Sequence, residues 1–187
     1  MRLNMPLYCV AVFASLALVP PTATLGQAVK VTHKLATPQA KPSSLSVSAT
    51  PAGVSFTLVS KGTATGNSPI SVTTAWSGFA KSSTIDLYGY FTSSSAALTG
   101  TLSGDLIPSS CVYGEMTTGL PTSYKAFTQT NPLGGAGASL ELFSQVVAGT
   151  GSASRTDALN LEINLTSLPQ LPADTYTGTL VIEAQEL

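Results

Sequence analysis

Leu159–Leu165 reads LNLEINL and Tyr176–Ala184 reads YTGTLVIEA, and the two runs share one pattern. In the first, Leu159, Leu161, Ile163 and Leu165 fall on one side, and Asn160, Glu162 and Asn164 on the other. In the second, Tyr176, Leu180, Ile182 and Ala184 alternate with Thr177, Thr179 and Glu183. Successive side chains of a strand point to opposite faces, so each run is predicted to be a strand with one buried and one wet face. SLPQLPAD lies between them, and its prolines and Asp174 break any continuous strand and predict a crossover or wide turn.

The same signal recurs upstream. SLSVSA aligns Leu45, Val47 and Ala49, and GVSFTLVS aligns Val54, Phe56 and Leu58. ISVTTAW aligns Ile70, Val72, Thr74 and Trp76, and TIDLYGYF aligns Ile85, Leu87, Gly89 and Phe91. Weaker strand signals lie at Leu98–Leu102, Cys111–Met116 and Tyr124–Thr128. SLELFSQVV is a strand with apolar residues in both phases, which predicts partial burial of both sides. KGTATGNSP, NPLGGAGA and AGTGSASRTD read as loops or turns. No window carries a sustained helical period with caps, so the expected fold class is all-β, an antiparallel sandwich or barrel, of which the sandwich is preferred.

Hydroxyls replace charges in this chain. Charged residues make up 9% of it, against 24 Ser and 25 Thr, so solubility has to come from hydroxyl groups. So few basic residues leave no patch for nucleic acid, and none is expected as a partner. The N-terminus has Arg2, an apolar run from Cys9 to Val19, and then PPTATLGQA. That is the layout of a signal peptide, with a cut after Gly26 or Ala28. The expected organisation is therefore 1–28 signal peptide, 29–43 N-terminal extension and linker, and 44–187 sandwich domain. The protein is expected to be secreted, periplasmic or at the cell surface, with no membrane span after cleavage. Cys111 is then the one remaining thiol, either buried or bridging two chains.

No catalytic, cofactor or metal site is expected. His33 is the only histidine and lies in the N-terminal extension, poorly placed to act as a packed base. The carboxylates are dispersed, and the glycine-rich GGAGA lacks the Lys of a phosphate loop. Tyr88 and Tyr90 share the face opposite Leu87 and Phe91, beside Asp86. They either form a stacking platform for glycans or pack across strands on a second buried face.

PADTYTG places Asp174 and Tyr176 in a corner that resembles the tyrosine corner of immunoglobulin-like sandwiches. In that corner a Tyr at the start of a strand hydrogen-bonds back across the preceding turn. Gly178 stands where antibody domains have a cysteine, and Trp76 is a candidate core tryptophan of the same architecture. The ending LPADTYTGTLVIEAQ is also similar to the endings of bacterial exported pilin-like subunits, including the spore coat protein U family. That resemblance implies a structural or surface-assembly role, with copies of itself or other surface subunits as partners. It also implies a final strand donated by a neighbour, and Val29, Val31 and Leu35 of VKVTHKL have the alternation of a donor segment; the alternative is a sandwich complete in itself, with this segment an ordinary first strand or a loose tail. The alternative role is a carbohydrate- or surface-binding module using Tyr88 and Tyr90.

Overall fold

The computed structural model describes residues 2–4, 31–32, 43–79, 83–147 and 151–187, the first two segments as backbone only. The expected signal-peptide cleavage region, Cys9, Val29, His33 and Leu35 lie outside the described residues.

Among the described residues, three antiparallel sheets carry fourteen strands: β1 Arg2–Asn4, β2 Val31–Thr32, β3 Ser44–Thr50, β4 Thr63–Thr65, β5 Ile70–Ser77, β6 Ser83–Tyr90, β7 Leu98–Gly100, β8 Leu106–Ile107, β9 Val112–Met116, β10 Lys125–Ala126, β11 Ser139–Val147, β12 Ser152–Asn164, β13 Tyr176–Thr177 and β14 Val181–Glu186. The first sheet runs β1-β14-β6-β11. The second runs β10-β9-β12-β5-β3-β2, with β4 also on β12, and the third runs β13-β7-β8. The helical content of the described residues is one 3-10 turn, Ser109–Cys111.

The first and second sheets face each other across one core. Ile85, Leu87, Leu140, Leu142 and Ile182 come from the first sheet, and Val47, Ile70, Val72, Leu159, Leu161 and Ile163 from the second. Phe127 fills the space between them: a Cβ added to Gly89 of the first sheet or Gly114 of the second would meet its ring at 3.1 or 3.2 Å. Phe91 closes on the same ring edge-to-face, with centroids 5.2 Å apart. The protein is an all-β sandwich.

Local sequence explains most strands and several departures. LNLEINL is a strand with its leucines inward, but β12 starts earlier, so SASRTDA is strand and not turn. YTGTLVIEA divides in two, because Gly178 to Leu180 pass between sheets: β13 joins the third sheet and β14 the first. The outer phase of β14 is not wet either, since Val181 and Glu183 are buried. In β11 the two apolar phases have one cause. A bulge between Glu141 and Phe143 shifts the register on β6, which lets Leu140, Leu142 and Phe143 all reach buried positions. Val146 is left exposed.

Val54, Phe56 and Leu58 are buried as their alternation implies, yet they lie outside the strands, with only an isolated bridge at Phe56. Asn67 satisfies Ser55 instead: its Oδ1 accepts from Ser55 N at 3.0 Å, and its N–H donates to Ser55 O at 2.9 Å. Within KGTATGNSP, expected as a loop, β4 pairs with the end of β12. Trp76 is half-buried at the margin of the core, not at its centre.

The two flanks of the sandwich differ. On one, the segments around β10 hydrogen-bond directly to β11: Gln129 and Ser139 exchange backbone bonds of 2.8 and 3.1 Å, and Leu120 N donates to Leu142 O at 2.7 Å. On the other, β14 lies near β3. Among the described residues no hydrogen bond joins those two strands, and each is bordered by a short strand, β14 by β1 and β3 by β2.

Candidate functional site

The face bearing Tyr88 and Tyr90 is built by register. Tyr88 on β6 lies directly between Glu141 of β11 and Glu183 of β14, and Asp86 lies beside Gln185 of β14. Direct cross-strand partners share a face, so these groups form one polar patch on the outside of the first sheet. Tyr90 Oη donates to Glu183 Oε2 at 2.8 Å. Burial, together with the Asp86 and Glu141 charges, raises the Tyr88 phenol above its ordinary value. Glu141 is raised too, by burial and by the Asp86 charge. A phenol raised in this way stays protonated at neutral pH and acts as a hydrogen-bond donor rather than a base.

Tyr88 and Tyr90 are only 6% and 7% exposed. The glycine-rich loop contributes to this cover, since a Cβ on Gly134 would fall 2.5 to 2.6 Å from atoms of Tyr90. Little of either residue is open to solvent. On this face Asp86, Tyr88, Tyr90 and Glu183 are buried, and the Tyr90–Glu183 bond ties β6 to β14.

The corner is formed by Asp174 and Tyr176. Tyr176 is fully buried, and its Oη donates to Pro172 O at 3.2 Å, back across four residues. Asp174 gathers the tip of the β7–β8 hairpin. Its carboxylate accepts from Leu102 N at 3.0 Å, Ser103 N at 2.8 Å, Ser103 Oγ at 2.9 Å, Thr101 Oγ1 at 3.1 Å and Thr175 N at 2.6 Å. These bonds, that from the Ser103 N–H first, hold the carboxyl well below the usual carboxylate range. With its acceptor sites occupied by N–H and O–H donors, Asp174 is an organiser of loops. Gly178 has its own reason: a Cβ there would fall on the carbonyl oxygen of Ala97. No cysteine fits at that position.

Of the expected donor segment, the Val31–Thr32 backbone pairs with Leu45 and Ser44 of its own chain. Val29 and Leu35 lie outside the described residues. A further cluster escaped the sequence reading. Arg155 and Asp157 continue the inward phase of LNLEINL, and their side chains form an ion pair in which Asp157 is buried. Thr118 donates its hydroxyl to the same carboxylate, and the Arg155 guanidinium donates to Thr118 O at 2.5 Å. That guanidinium also lies 5.1 Å from the centroid of Phe143, on the opposite sheet. An acid two residues before an inward leucine run, with a base two residues before it, was the available signal.

Cys111 is buried, and its Sγ lies 4.0 Å from Ser167 Oγ. Among the described residues no three His, Cys, Asp or Glu side chains group as metal ligands, and no helix is long and apolar enough to cross a membrane. No protein-family model, curated protein or solved structure matches this chain.

Proposed function

We propose that this protein is an exported, non-catalytic structural subunit of a surface assembly, pilin-like or coat-like, with an immunoglobulin-like sandwich that joins its neighbours by strand addition. The observation that carries this reading is the unequal closure of the two flanks. One is tied by direct bonds between the sheets, whereas β14 and β3 on the other are bordered only by β1 and β2. β1 falls inside the expected signal peptide. Cleavage after Gly26 or Ala28 removes it, and with it the strand that pairs with Val181–Glu183. A row of unpaired N–H and C=O groups on such an edge is a template for another chain. Val29–Leu35 of a second copy supplies the alternating sequence to occupy it. The use of the carboxylates supports a structural role as well, since Asp174, Asp157 and Glu183 all accept hydrogen bonds that fix the fold.

The test compares the chain starting at Val29 with one starting at Pro38, by sedimentation velocity. The first is expected to self-associate. The second is expected to stay monomeric and to bind a synthetic Val29–Thr37 peptide with a stoichiometry of about one, as a single open slot requires. A shortened chain that is as stable and monomeric as the longer one, and binds no peptide, rules this reading out.

A further inference from the structure

The most exposed large apolar side chain of the described residues is also one of the most firmly positioned. Leu102 is 91% exposed at the tip of the β7–β8 hairpin, with Leu106 partly exposed beside it. The backbone beneath it is fixed: Leu102 N and Ser103 N both donate to Asp174, and Thr101 N donates to Thr175 O at 2.9 Å. Gly100 leaves the room this needs, because a Cβ there would come within 2.6 Å of both Ser103 Oγ and the Asp174 carboxylate. Gly104, at a φ of +73°, takes the left-handed conformation that turns the chain back. A single exposed leucine on a mobile loop is ordinary. A leucine held out by a buried carboxylate and two dedicated glycines is preorganised, which is how contact residues gain affinity.

The surface also carries a receptacle of suitable chemistry. Leu120, Pro121, Lys125, Ala126, Leu140 and Glu141 line most of a mainly apolar groove of about 350 Å³ on the closed flank. Leu120 is itself 53% exposed. The groove contains no hairpin residue. Its exposed cation, Lys125, matches the exposed anion Asp105 next to the knob. We propose that Leu102 seats in the Leu120–Leu140 groove of a second copy of this chain, with Asp105 against Lys125, joining copies head to tail. Because knob and groove are different surfaces, the contact is heterologous, giving a ring where the rotation between copies closes and a filament where it does not. It deepens the assembly reading by supplying a second contact between subunits, one that requires no added strand.

The uncleaved full-length chain isolates this contact, since β1 occupies the β14 edge there. Sedimentation velocity is run on the wild type, Leu102→Asp, Leu120→Asp and a 1:1 mixture of the two variants. The wild type is expected to form concentration-dependent oligomers, and each variant to associate at least about tenfold more weakly. The mixture is expected to stop at a dimer, because Leu102→Asp retains the groove and Leu120→Asp retains the knob. Leu102→Ala, with an unchanged melting temperature and the same loss of association, separates contact from folding. A wild type that is monomeric throughout, a Leu102→Asp variant that associates normally, or a mixture that forms no dimer overturns the contact. None of those results touches strand addition, which is tested on the processed chain.

Discussion

Asp174 shows how much a single carboxylate organises in a chain with so few charges. It holds three backbone N–H groups and two hydroxyls, from both the hairpin tip and its own corner. Its folded pKa lies below the unfolded value of about 3.9. The ionised form therefore contributes stability in full above that value, and the contribution fades as pH falls through the folded pKa. An Asp174→Asn variant should melt below the wild type by a constant margin from neutral pH to about pH 5, and the margin should narrow below about pH 4. Calorimetric melting across that range checks it, and a margin that widens in acid would contradict the assignment. The corner was legible in PADTYTG because its chemistry is local: Tyr176 reaches back only four residues. The cover on Tyr90 was not, because it involves a loop some forty residues away, where Gly134 lies against its ring.

Strands were legible where alternation was clean, and lost their limits where polar groups took inward positions. β12 is the clearest instance. Leu159, Leu161 and Ile163 announce it, but the strand continues back to Ser152 through inward Asp157 and Arg155, which read as turn residues by type alone. Their ion pair, capped by Thr118 and laid against Phe143, replaces aliphatic packing at that end of the core. Arg155→Met leaves a buried carboxylate without its cation and is expected to cost on the order of 3 kcal/mol. Pairing it with Asp157→Leu removes the stranded charge and should recover part of that loss. Urea unfolding of the single and double variants measures both; equal destabilisation would mean that the pair is not coupled. β11 makes a related point. Its mixed apolar phases come from one extra residue at the bulge after Glu141.

Across the whole molecule, the fold class followed from period-two patterning, hydroxyl-rich composition and the absence of helical periods. The sheet order did not, because pairing between distant strands leaves no local mark. Cys111 is buried in the core as the last residue of the 3-10 turn. In the folded protein it should resist Ellman's reagent and form no disulfide-linked dimer on non-reducing gels, reacting only when denatured. Rapid native labelling would place the thiol at the surface. The order of strands in the first sheet also sets a clock. β6 is paired on both sides, and both partners, β11 and β14, come later in the chain. The Tyr90–Glu183 bond spans 93 residues. At about 5–20 residues per second of synthesis, β6 waits several seconds for its second neighbour. Contacts this distant also fold slowly once the whole chain is available, in milliseconds to seconds. Until β14 has been made, the nascent protein therefore holds at most half of its first sheet, with β6 still short of its second neighbour.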